Sequence, residues 1–263
     1  ISFNQMAADL ATADGEISRQ IGTTTDQINE IARQLAFVNS QRRSSFSSIQ
    51  DTGLDAQLHN LLEDLSGLTD FVSIPLEDGS VSVFVGGQTL LVGGDRFFPI
   101  SASSTPAGSF IQNQDGVDIT DQVSAGKLAA LLEVRNSILP SYTNELNTLA
   151  ASVADQINAV LALGIDATGN PPTVDLFGYA SAGTAAATLS VAAFSAGDLA
   201  LAQPGAPNGN GNVLNLVDLA NLKTTGGETF TNYYANLASR VGRELSSSIQ
   251  AQRTAQQALD QSK

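Results

Sequence analysis

The chain has 263 residues, 42% of them hydrophobic and only 14% charged, so a real core is expected beneath a surface of Ser, Thr, Asn, Gln and Gly. With no Cys, no Trp and a single His (His59), disulfides, thiolate metal sites, Cys nucleophiles and any mechanism needing two imidazoles are excluded. The net charge of −14 argues against a nucleic-acid surface, and no apolar run of about 18 residues is present to span a membrane.

The first periodic element is a seam. Ile17, Ile21, Thr24, Ile28, Ile31, Leu35 and Val38 alternate in steps of four and three, which places them on one helix face. Asp14 is the expected N-cap of a helix over about 15–39, with Gly15 as a break and Gln41–Ser48 as a loop or frayed end. The pattern restarts at Leu54, Leu58, Leu61, Leu65, Leu68 and Val72, capped by Asp51 or Thr52. His59 falls off that seam, which marks it as structural rather than catalytic.

At Phe71 the period changes to two. Phe71–Leu76, a Glu77-Asp78-Gly79-Ser80 turn and Val81–Val85 read as a hairpin, extended by Thr89–Val92 and by Phe97–Ser101, where Pro99 demands an edge. Residues 102–126 read as irregular, with a short pair at Phe110–Gln112 and Val117–Ile119. A long helix follows, from Gly126 through Leu128, Leu132, Leu146, Leu149 and Val153 to Gly164, kinked or divided by Pro140. Residues 165–222 read as a small β-rich insertion, with Leu189–Phe194 strand-compatible and Leu214–Leu222 a short helix. A last amphipathic helix carries Phe230, Tyr234, Leu237, Val241, Leu245 and Ile249 to the end of the chain.

The fold class read from these patterns is α+β, mostly α: an elongated helical bundle with a β-hairpin region at about 71–123. The bundle comprises 1–164 and the returning segment 223–263, and the small domain is inserted at 165–222. The bundle seam consists of Ile17, Ile21, Ile28, Leu35, Leu58, Leu61, Leu65, Leu68, Leu128, Leu132, Leu146, Leu149, Val153, Tyr234, Leu237 and Val241.

Chemistry-bearing motifs are few. Gly209-Asn-Gly211 lacks the third Gly of a dinucleotide loop, and Gly126-Lys127 lacks the Ser or Thr of a P-loop. Asp115, Asp118 and Asp121 could supply oxygen ligands to Ca²⁺, and Asp166-Ala-Thr-Gly-Asn170 resembles half a calcium loop. Neither has EF-hand spacing, and solvated turns are the better reading. Arg42-Arg43 is too small a patch for nucleic acid. No catalytic, cofactor or metal residue is assigned.

Three ordered blocks carry a resemblance. Residues 58–74 (LHNLLEDLSGLTDFVSI) with 77–87 (EDGSVSVFVGG) resemble the leucine-rich helix and "DGSVxVxxGG" hairpin of the flagellar hook-associated protein 1 family. Leu62-Glu63 stands where that family has Arg-Asp. Residues 126–140 (GKLAALLEVRNSILP) resemble its "GGxLxGLLxxRDxxLP" segment, with Ala125 and Asn136 as departures. Residues 229–242 (TFTNYYANLASRVG) are similar to its C-terminal helix entry. The family's "NIANxxTxGY" and "SGVNLDEE" terminal segments are absent, so the chain reads as a central fragment.

The resemblance implies an extracellular structural adaptor of the bacterial flagellum, joining hook to filament without catalysis or cofactor. It implies export through the flagellar type III apparatus with a chaperone. The implied partners are hook protein, other hook-associated proteins and copies of the chain itself, with neither nucleic acid nor membrane. The fragment alone is expected to be monomeric in dilute solution. The alternatives are another axial protein, such as hook-associated protein 3 or a flagellin, or a secreted acidic binding or hydrolytic domain.

Overall fold

The computed structural model describes residues 2–45, 52–193, 195–207 and 209–262. They fall into two compact units: Leu10–Pro140, and Ile1–Asp9 together with Ser141–Lys263. The sequence-based division instead places its boundaries at 164 and 223. Residues 165–222 lie within the second unit.

Helix α1 runs Phe3–Ser45 without interruption, passing Gly15, which has open space around it. A single exposed Gly costs roughly 1 kcal/mol of helix propensity, and the buried stripe that follows outweighs it. Ile21, Ile28, Leu35 and Val38 have no exposed surface. The expected break at Gly15 and the loop from Gln41 are therefore corrected, as far as Ser45. The remaining residues of that loop, 46–48, lie outside the described residues. Both arginines of Arg42-Arg43 are held, which extends the helix to its end. Arg42 pairs with Asp55 and donates to the Gly79 carbonyl (2.6 Å), and Arg43 pairs with Asp78 (2.9 Å) and Asp95 (3.5 Å).

Helix α2 spans Thr52–Leu68 and buries Leu54, Leu58, Leu61 and Leu65. Asp51, the alternative cap, lies outside the described residues. The chain then forms an antiparallel sheet of β1 (Phe71–Pro75), β2 (Val81–Val85), β3 (Thr89–Gly93) and β4 (Arg96–Phe97), in that order. Val72 belongs to β1, not to the α2 seam. Val81, Val83 and Val85 alternate inward, joining Leu35, Leu65 and Leu128 in one core. β4 ends before Pro99, which cannot donate to a ladder.

Residues 101–112 are not irregular. Ser101–Thr105 (β5) pairs in register with Gly108–Gln112 (β6) across a Pro106-Ala107 turn. The expected partner of Phe110–Gln112 makes only the bridge Gln112–Asp118. The polar, small-residue composition of β5 hides it from any hydrophobic alternation, because its side chains are largely exposed.

Helix α3 (Gly126–Glu133) passes through a π-helical turn, Val134–Ile138, into α4 (Leu139–Ala162). Pro140 is the second residue after that turn. The wide turn carries the i→i−5 bond from Leu139 N–H to the Val134 carbonyl, so the helix accommodates the missing proline donor without a break.

In the second unit α4 packs a buried row of Leu146, Leu149, Ala150, Ala154 and Leu161. Among the described residues, 165–222 carry one two-residue pair, β7 (Phe177–Gly178) with β8 (Ser190–Val191), and the bridges Ile165–Ala202 and Gln203–Ala206. Two short helices lie in the same stretch, α5 (Ala185–Thr188) and α6 (Gly211–Asp218). Phe194, the end of the expected strand, lies outside the described residues. Gly164 has no room for a side chain: a Cβ there would collide with the Ala200 carbonyl and the Asn212 amide. Helix α7 spans Phe230–Ser262.

Candidate functional site

Asn side chains substitute for charge as the fastening of this fold. Asn39, fully buried on α1, donates to the carbonyls of Val81 (2.8 Å) and Gly94 (2.7 Å) and accepts from Val81 N–H (2.9 Å). Asn29 binds both backbone groups of Ile100 (2.7 and 3.0 Å), and Asn136 those of Ser109 (2.9 and 2.8 Å). In the second unit Asn158 does the same to Phe177 (2.8 and 3.0 Å), and Asn147 to Gly183 and Ala186 (2.6 and 2.9 Å). An amide offers a donor and an acceptor side by side, so it completes a strand or loop edge as another strand would. Because the helix provides the amide, buried backbone groups are satisfied without a buried charge. Sequence reasoning missed these residues. Their signal was Asn inside apolar-periodic helices, where its intrinsic propensity is poor.

Arg135 is the exception. It is 6% exposed inside the π-helical turn. Its guanidinium pairs with Asp14 (3.0 Å) and donates to Ser18 Oγ (3.0 Å) and the Thr105 carbonyl (2.9 Å). Thus Asp14, expected as an N-cap, instead sits inside α1 as a counter-ion.

The seam residues divide by position. Ile21, Ile28, Leu35, Leu58, Leu61, Leu65, Leu128 and Leu132 are buried in one core, with Ile17 and Leu68 half-buried against it. Leu146, Leu149 and Leu237 are buried in the second unit, and Val153 is half-buried. Tyr234 and Val241 are 45% and 40% exposed and continue into exposed Leu245 and Ile249, so α7 presents an apolar stripe to solvent. Tyr234 also lines a groove of about 930 Å³ with Phe3, Met6, Leu149, Phe177 and Val191.

Beside that stripe α7 docks on α4 through a polar cluster. Arg240 pairs with Glu145 and lies over the Tyr142 ring (5.5 Å to its centre), while the Tyr142 hydroxyl donates to Glu244. Desolvation, followed by the hydrogen bond to Glu244 and its negative charge, pushes the Tyr142 hydroxyl up to about 12.

The acidic motifs are self-occupied. Asp118 accepts from the N–H (2.9 Å) and hydroxyl (2.5 Å) of Thr120, which holds its carboxyl below the usual range. Asp166 is engaged in the same way by Thr168 and Asn170. These are Asx turns. Among the described residues no three acidic or imidazole groups are placed to hold a metal ion, and His59 is exposed on α2. No described helix is long and apolar enough to cross a membrane.

Buried apolar helix seams with small antiparallel sheets define a mostly helical α+β protein. The chain belongs to the flagellar hook-associated protein FlgK helical domain family, whose model matches residues 1–177. It is 26% identical over 176 residues to flagellar hook-associated protein 1 of Escherichia coli K12 and 27% identical to that of Salmonella typhimurium LT2. Each of these matches covers 61% of this chain and 31% of the relative, so the match spans about a third of either relative's length. The structure of the flagellar hook junction protein FlgK from Burkholderia pseudomallei superposes with a TM-score of 0.62 at 27% identity. That superposition covers 68% of this chain and 34% of that one.

Proposed function

We propose that the chain is part of a structural subunit at the junction between flagellar hook and filament, with no catalytic role. The observation that carries this reading is the family match over residues 1–177. The apolar stripe of α7 supports it: an exposed run of Tyr234, Val241, Leu245 and Ile249 suits a helix that packs against another helix in a larger assembly. In this reading the sixteen seam residues are bundle packing positions, and residues 165–222 form a small module carried between α4 and α7.

The subunit is exported through the flagellar type III apparatus with a chaperone and works outside the cell. It contacts hook protein, other hook-associated proteins and copies of itself. The absence of cysteine suits a chain that is threaded unfolded, since no disulfide need form or be broken on the way. Restoring the parent gene to a strain lacking its junction protein tests the reading. Recovery of filament attachment and motility is expected. Normal export and folding without filament attachment would overturn it.

A further inference from the structure

Easily oxidised side chains are almost absent from this chain. It has no Cys, no Trp and a single Met, Met6. A peroxide reacts first with sulfur, and the Met6 thioether is the one sulfur in the chain. Met6 lies in the opening turn of α1 and is half-buried. It stands in the wall of the groove of about 930 Å³, with Phe3, Leu149, Phe177 and Tyr234. That space is many times the volume of a water molecule, so a peroxide reaches the sulfur without unfolding the chain.

The same turn fastens α1 to residues 185–191. The Asn4 side chain, two positions before Met6, donates to the carbonyls of Ala186 (3.2 Å), Ala187 (2.9 Å) and Leu189 (3.2 Å). Two of these are end carbonyls of the four-residue helix α5, and the end carbonyls of so short a helix have no partner within it. From α4 the Asn147 amide holds the other end of this segment, at Gly183 and Ala186. Leu189 and Val191, just beyond α5, then line the groove together with Met6. The opening turn of α1 therefore carries both the amide that grips this segment and the thioether that packs beside it.

We propose that Met6 is a redox-sensitive latch, whose oxidation by a peroxide releases the opening turn of α1 from residues 185–191. The proposal goes beyond the junction reading and does not depend on it. Hydrogen peroxide transfers one oxygen atom to the sulfur: the S–O bond forms as the O–O bond breaks, the sulfur is oxidised by two electrons, and the peroxide is reduced to water. The product sulfoxide is polar and a strong acceptor. It keeps its water shell, so the side chain leaves the apolar wall and draws its helix turn with it.

Treating the whole chain with hydrogen peroxide tests the latch. Peptide mapping by mass spectrometry should find one added oxygen atom, on Met6, gained at a rate within about tenfold of that in urea. The Leu189 and Ala192 amides donate to the Ala185 and Leu176 carbonyls (2.8 and 2.9 Å). Both should exchange about fivefold faster after oxidation, while amides at 146–154 in α4 stay unchanged. Methionine sulfoxide reductase should restore the original rates. Met6→Leu keeps an apolar side chain of similar size, so peroxide should leave its exchange unmoved. Asn4→Ala should speed the same two amides without peroxide, and no change in that variant would overturn the placing of the latch on this turn. Circular dichroism checks that both variants fold. Met6 that reacts only in urea, oxidation that leaves the two amides unchanged, a uniform rise of exchange across the chain, or a peroxide effect that persists in Met6→Leu would each overturn the proposal.

Discussion

Replacing Arg135 by Met should destabilise the Leu10–Pro140 unit by about 2–3 kcal/mol. Removing one partner from a buried ion pair costs roughly 3–5 kcal/mol, because the other charge is left desolvated. Here the side chains are unequally buried: Arg135 is 7% exposed but Asp14 is 37% exposed. Water can therefore rescue the Asp14 carboxylate, which places the cost at the lower end. The Thr105 carbonyl, on an exposed residue, is rescued likewise, whereas half-buried Ser18 loses a partner at about 1 kcal/mol. The Met side chain recovers part of the packing of the Arg stem. Thermal unfolding followed by circular dichroism should show the midpoint of that unit fall by about 8 °C. A double-mutant cycle with Asp14→Asn should return a coupling of about 1 kcal/mol. A loss below about 0.5 kcal/mol for Arg135→Met would refute the claim that this guanidinium fastens α1 and the β5–β6 hairpin to the π-helical turn.

The Thr24 hydroxyl is buried without a partner, so Thr24→Val, nearly equal in volume, should stabilise the same unit by about 1 kcal/mol in denaturant titrations. Gly126 has φ +83°, and a Cβ there would stand 2.6 Å from Thr69 N and 2.8 Å from the Leu68 carbonyl. Gly126→Ala should cost about 3 kcal/mol, seen as a lowered denaturation midpoint. In phenolate absorbance titrations Tyr142 should be among the last tyrosines to ionise, near pH 12, and Tyr142→Phe should remove that component. The sign follows from a folded-state value raised above the ordinary 10: the contribution is complete below pH 10 and is lost as pH climbs toward 12, where the unfolded chain has already released its proton. Glu244→Gln should lower the Tyr142 value, since it removes the negative charge that accepts the hydroxyl.

What the sequence determined by itself is whatever depends on neighbours a few positions apart. The four-and-three spacing from Ile17 to Val38 and from Leu54 to Leu65 defines apolar stripes on helix faces, because those faces follow from a fixed turn per residue. Asp78-Gly79 marked the first hairpin, since a turn residue with positive φ (Gly79, 80°) is a local demand. The tertiary structure alone decided the rest. The β5–β6 hairpin forms without a hydrophobic signal because Asn136 satisfies Ser109 from a helix distant in sequence. Arg42 and Arg43 continue α1 where composition suggests a loop, because acids and a carbonyl from α2 and the sheet turns are brought to them. Pro140 remains inside a helix because the π-helical turn before it relieves the missing bond. Among the seam positions, Leu237 is buried while Val241, one helical turn further along the same stripe, is exposed. Periodicity defines that stripe, but how much of it is covered depends on where α7 leaves its neighbours.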